Sequence, residues 1–124
     1  MFDILFFRTA QGRSPVEDFL ETLPVKHHRK AMACFQFLSE RGPSLQRPYA
    51  AHVRGPLWEL RVDFGRHAYR FFYVVLPGLR VLMLHAFVKK QPKLPAAEID
   101  TAENRLREFL NRPDVGRDDR ETTP

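Results

Sequence analysis

Three strand-like segments, residues 57–62, 68–76 and 79–88, follow one another with almost nothing between them. The joints are Asp63 to His67, centred on Gly65, and the Pro77-Gly78 turn. Parallel neighbours need a crossover of about a dozen residues, so joints this short force an antiparallel meander. Side-chain alternation then sorts each segment into two rows. Trp58, Leu60 and Val62 face one way, and Leu57, Glu59 and Arg61 the other. Arg70, Phe72 and Val74 form one row, with Tyr69, Phe71, Tyr73 and Val75 opposite. In the last segment Val81, Met83, His85, Phe87 and Lys89 oppose Leu82, Leu84, Ala86, Val88 and Lys90. The second of these rows is apolar until its end and is the expected core row. That leaves His85 on a mixed row facing a groove.

The flanks supply a further strand and three helices. Residues 2–8, rich in Phe and Ile, read as a first strand. Ser14-Pro15-Val16-Glu17 reads as a helix start, with Ser14 and Glu17 as a capping box and Pro15 at the first helical position. That helix ends near Leu23-Pro24. A longer one covers 25–41, with an apolar stripe of Ala31, Cys34, Phe35 and Leu38, and Gly42-Pro43 stops it. His27, His28, Arg29 and Lys30 are expected on a solvated face, and adjacent helical histidines diverge too far to share a metal. Residues 43–56 read as a loop. Pro95 opens a last helix with Ile99, Ala102, Leu106, Phe109 and Leu110 as its stripe. Residues 113–124 have little to bury and read as a frayed tail. The expected fold is a single α+β domain over 1–112, an antiparallel β-sheet of about four strands packed with helices, in the order β-α-α-β-β-β-α.

Charge is distributed unevenly over this frame. The whole chain carries +5. Residues 41–93 hold ten basic side chains against two acidic ones, Glu59 and Asp63. That stretch is therefore +8 and the remainder −3, which points to a polyanionic partner. A single cysteine, Cys34, rules out an internal disulfide. The apolar start MFDILFF is too short for a signal peptide and lacks a basic leader. No stretch reaches the roughly 20 apolar residues of a membrane span, so a cytoplasmic protein is expected. The histidines and the cysteine match no zinc spacing, and no cofactor motif is present, so neither metal nor cofactor is expected.

If the meander is simple, Arg61, Arg70, His85, Lys89 and Lys90 gather at one end of the sheet. Such a set suits RNA cleavage by attack of a 2′-hydroxyl on its own phosphate. That reaction needs a proton acceptor, a proton donor and cations facing the developing charge. Histidine can take either proton role. Arginine clasps phosphate through paired hydrogen bonds, and lysine supplies a point charge. Phe87 or Tyr73 could stack an unpaired base, and Arg54, Arg66 and Lys93 add cations for the RNA backbone. Blander readings exist for each. Arg61 with Glu59 also reads as a surface ion pair. Lys89-Lys90 also reads as charge that guards a sheet end. Arg70 within an apolar strand needs a partner, with Asp63 or Glu59 in reach of it.

The sequence as ordered, GPLWELRVDFGRHAYRFFYVV followed by VLMLHAFVKKQPKLPAAEIDTAENRL, resembles the phage-derived, HigB-like branch of the RelE/ParE toxin superfamily. The matching motifs are Glu59-Leu60-Arg61, Tyr69-Arg70, His85 through Lys90, and Pro95 through Glu98-Ile99. The likeness covers roughly residues 2–112. It departs after Lys90, where this chain has Gln-Pro-Lys in place of a Thr-Gln-Lys type of sequence. The resemblance implies a RelE-like fold and the toxin of a type II toxin–antitoxin system. It further implies an endoribonuclease acting on mRNA at the ribosome and inhibiting translation, silenced by a cognate antitoxin protein. On this carry-over Arg61 and Arg70 hold phosphate, and His85, Lys89 and Lys90 move protons or stabilise charge. Two alternatives stand beside it. One is a ParE-like poison of DNA gyrase. The other is a non-catalytic RNA- or protein-binding module.

Overall fold

A computed structural model of the chain describes residues 1–112. The expected tail at 113–124 lies outside the described residues. The elements are β1 (Asp3–Phe6), α1 (Pro15–Glu21), α2 (Val25–Arg41), β2 (Ala50–Arg54), β3 (Leu57–Phe64), β4 (His67–Leu76), β5 (Arg80–Val88) and α3 (Ala96–Asn111). The class is the expected α+β fold. The meander β3-β4-β5 is antiparallel, as its short joints require.

Two features of the sheet differ from expectation. It has five strands, in the order β1-β5-β4-β3-β2, because β2 occupies part of the segment read as a loop. Three prolines and no clean alternation hide that strand. It is an edge strand, where Pro before its start costs no ladder bond. The sheet is also mixed rather than purely antiparallel. β1 runs parallel to β5, with Ile4 beside Val81 and Phe6 beside Met83. The chain between β1 and β5, through both helices and β2 to β4, supplies the long connection that a parallel neighbour requires.

Helices cover both faces. α1 and α2 pack on one, where Val16, Leu20, Ala31, Cys34, Phe35 and Leu38 meet Leu60, Val62, Tyr69, Phe71, Tyr73 and Met83. Edge-to-face contacts join Phe71 to Phe19 and to Phe35, at 5.7 and 5.1 Å between ring centres. α3 packs on the other face, setting Ala102 and Phe109 against Phe7, Phe72, Val74, Leu82, Leu84 and Phe87. Leu110, expected in its apolar stripe, is instead exposed.

Local chemistry fixes the helix ends, not always as expected. Gly42 closes α2 at φ +53, and any Cβ there would collide with the Phe2 ring. Ser14 stands at the start of α1, but its hydroxyl makes no capping bond. The expected capping box therefore does not form, and Glu17 turns to Arg8 at 3.4 Å. His27 is not on a solvated face either. Its Nδ1 lies 2.5 Å from the Tyr69 hydroxyl, and its ring packs on Phe64 and His67.

Candidate functional site

The site begins with an irregularity in β5. Phe72 of β4 opposes His85, but the next residue, Tyr73, opposes Met83. Leu84 is thus an extra residue, a β-bulge, and side-chain alternation slips by one across it. Val81 and Met83 belong to the α1/α2 face, and Ala86 packs there too. Leu82, Leu84 and Phe87 belong to the α3 face, where the register also puts His85. The expected rows of β5 therefore hold on either side of the bulge but not through it. The correction matters because the bulge turns His85 toward the face that carries Arg70.

On that face the register sets residues in transverse lines. Glu59, Phe72 and His85 form one line, and Arg61, Arg70 and Phe87 the next. Neighbouring strands lie about 4.8 Å apart, so the two lines form a compact patch across three strands.

One half of the patch is an arginine–carboxylate cluster. Glu59 is 4% exposed and Arg70 7%, unusual for charged residues in a sheet. Glu59 Oε2 accepts from Arg61 Nε and Nη2, both at 3.3 Å. Its Oε1 lies 3.4 Å from Arg70 Nε, an ion contact without hydrogen-bond geometry. Arg70 Nη1 donates to Asp63 at 2.8 Å and to the Tyr69 carbonyl at 2.9 Å. Arg70 thus engages both carboxylates within its reach. Arg61 is the open member, with about a quarter of its side chain exposed (27%).

The other half is His85, held between ring neighbours and α3. Phe87 stacks on the imidazole at 5.7 Å, and Phe72 lies at 6.4 Å. Nε2 lies 2.7 Å from Glu98 Oε1, and Nδ1 lies 3.0 Å from Arg105 Nη1. A guanidinium can only donate, so Nδ1 must present its lone pair. The proton is then on Nε2, which donates to Glu98. Burial holds the His85 pKa below its ordinary value, and the Arg105 charge adds to that effect while Glu98 opposes it. Arg105 also donates to the Leu84 carbonyl at 3.0 Å, on the bulge itself.

The remaining expected site residues fall in three places. Lys89, Lys90 and Lys93 follow β5 at the end of the sheet where β4 begins, next to Ala68. The Lys89 amide donates to the Ala68 carbonyl at 2.7 Å, and its Nζ to the Pro92 carbonyl at 3.0 Å. Lys90 and Lys93 are exposed, as is Arg66 in the β3–β4 turn at the same end. Arg54 lies apart, exposed at the end of β2, with a two-pronged contact to Glu103 of α3 at 2.6 and 3.0 Å. That contact holds the Glu103 carboxyl below its usual range. Tyr73 and Phe87 are in the core, 1% and 6% exposed, so neither offers a free ring face to a base. Tyr73 moreover lies on the α1/α2 face, away from the arginines.

Two members of the patch escaped sequence reading, Glu98 and Arg105 as the partners of His85, whereas Glu59 was expected beside either arginine and in fact touches both. Glu59 and Arg61 sit two apart on one strand row, which was the available signal. Glu98 and Arg105 sit seven apart, two helical turns on one face of α3, but nothing in the sequence says which strand they meet. Among the described residues no group of three or more His, Cys, Asp or Glu side chains is placed to hold a metal ion. No helix among them is long and apolar enough to cross a membrane.

No curated protein matches the chain. A family model does, over residues 18–107, described as phage derived protein Gp49-like (DUF891). The match takes in the whole meander with its arginines and imidazole, and ends within α3. The Gp49-like family is compatible with a toxin of a toxin–antitoxin system. With well over half of its length matched, the chain belongs to the phage-derived Gp49-like family, within the RelE/HigB-type toxin superfamily.

Proposed function

We propose that the protein is the toxin of a type II toxin–antitoxin pair and acts as an mRNA endoribonuclease at the ribosome. The observation that carries this reading is the shared sheet face of Arg61, Arg70 and His85, brought about by the bulge at Leu84. Two guanidinium groups suit a phosphate in the act of gaining charge. A neutral imidazole beside them suits proton transfer near neutral pH. Lys89, Lys90, Lys93 and Arg66 cluster at the same sheet end, where they would guide the RNA backbone inward. In the reaction the 2′-hydroxyl attacks its adjacent phosphorus, its proton passes to a base, and the leaving 5′-oxygen takes a proton. The cognate antitoxin is a protein whose acidic segment complements the +8 stretch.

One observation favours a second reading, a non-catalytic binding module. Both ring nitrogens of His85 are already engaged, by Glu98 and Arg105. On the catalytic reading α3 must yield those contacts before the imidazole can meet RNA.

Inducible expression with mapping of transcript ends separates the readings. The intact chain is expected to arrest translation and leave messages cut within translated regions, and the His85→Ala chain to leave them whole. Arrested cells with uncut message would overturn the nuclease reading. DNA-damage signalling with intact message would point to a gyrase poison. Harmless behaviour of both chains would point to the binding module.

A further inference from the structure

The arginine cluster holds more carboxylate than its surroundings call for. Arg61 and Arg70 supply two positive charges, and Glu59 and Asp63 cancel both. A site that receives phosphate gains nothing electrostatically from a neutral cluster. Asp63 is mostly solvent-exposed (61%), where its charge is screened. Glu59 is different, because it is buried between the two guanidinium groups and touches each of them.

Its fit there is poor. Guanidinium–carboxylate hydrogen bonds settle at about 2.7–2.9 Å. Glu59 makes its contacts at 3.3, 3.3 and 3.4 Å. Glu59 Oε1 and Arg70 Nε are both buried and both lack a hydrogen-bond partner, although they lie 3.4 Å apart. Arg70 manages 2.8 Å to Asp63, so the guanidinium itself is free to bond well. The cluster therefore has a buried donor left without an acceptor, although a carboxylate oxygen lies in contact with it. Access exists from the side of Arg61, whose side chain is partly open.

We propose that the Glu59 carboxylate is a resident anion, seated where a phosphate group binds, and that RNA phosphate enters the arginine site by displacing it. The inference rests on the phosphate-handling reading of Arg61 and Arg70 but not on cleavage. A phosphate brings tetrahedral oxygens that satisfy Arg70 Nε and Arg61 together. Displacement swings Glu59 toward solvent along the Arg61 side. In the empty protein Glu59 keeps a carboxylate beside the buried Arg70 Nε and beside Arg61, and weak anions are excluded by the competition. Glu59 in this role positions the arginines and sets the threshold for entry.

The test uses the purified full chain and inorganic phosphate, with sulfate as a second oxyanion. Binding is read by the shift of thermal midpoint and by the Nε–H signal of Arg70 in NMR titration. Glu59→Gln is expected to bind phosphate about tenfold more tightly than the unaltered chain, since a competing charge at contact distance is gone. Equal or weaker binding by a folded Glu59→Gln chain overturns the proposal. Should that variant fail to fold, the unaltered chain still decides. Its Arg70 Nε–H signal must move saturably with phosphate, and Arg61→Ala must weaken that response. A signal indifferent to phosphate overturns the proposal. Neither readout involves RNA cleavage, so a failed nuclease assay with the expected phosphate response would refute the activity and spare the resident anion.

Discussion

The two faces of the sheet are built on different principles. The α1/α2 face is an aromatic core: Phe71, Leu60 and Val62 are fully buried and meet Phe19, Phe35 and Leu38. The α3 face has a similar apolar base, but charged groups cross it. Arg70, Glu59, His85, Glu98 and Arg105 lie along one side of that interface, and Arg54 ties its outer edge to Glu103. Apolar contacts need no particular orientation to stabilise, whereas charges out of water must be paired with correct geometry. The first face is therefore suited to holding the sheet rigid. The second is suited to exchanging partners, because a ligand of the right charge can replace an internal one.

The largest expected effect tests the first half of that contrast. Phe71→Ala removes a ring that is fully buried and touched edge-on by two others. It should cost about 3–5 kcal/mol in urea denaturation. A loss below about 1 kcal/mol would mean that the α1/α2 face does not carry the stability assigned to it.

The second test addresses the charged face. Arg70→Ala leaves Glu59 buried with only Arg61 beside it, and breaking one side of a buried pair costs about 3 kcal/mol or more. Asp63→Asn, at the exposed end of the same network, should stay within about 0.5 kcal/mol. Equal costs at the two positions would show that burial does not grade this network, and the distinction between Glu59 and Asp63 would fall.

The meander and the helices were legible because they rest on local signals: short joints, 3.6-residue stripes, and Gly42-Pro43 as a stop. The convergence of Arg61 and Arg70 on one row was legible for the same reason, since alternation runs unbroken through β3 and β4. His85 was different. Its face depends on the bulge at Leu84, and LMLHAF contains no glycine or proline to announce one. β2 escaped because an edge strand of five residues among prolines has little alternation to show. The partners of His85 escaped because helix periodicity gives a face, not the strand that face will meet.

The smallest effect concerns that imidazole and sharpens the contrast by acid. The His85 pKa is lowered by burial, beneath the ordinary 6.5 of an unfolded histidine. As pH falls below about 6.5, the unfolded chain takes a proton that folded His85 refuses, so the unfolded state binds more protons and stability declines. The decline ends once pH drops past the folded pKa, where both states are protonated. Above about 6.5 the contribution is fully present. Protonation would put an N–H on Nδ1 facing the N–H of Arg105 and so loosen α3 from the bulge. The thermal midpoint of the unaltered chain should therefore fall more steeply from pH 7 to pH 5 than that of His85→Gln, which has no proton to gain there. Hydrogen exchange over the same range should rise first in α3 and leave β3 and β4 protected. Parallel midpoint curves for the two chains would show that acid acts through other groups, and exchange rising first in α2 would place the softer contact on the face described as rigid.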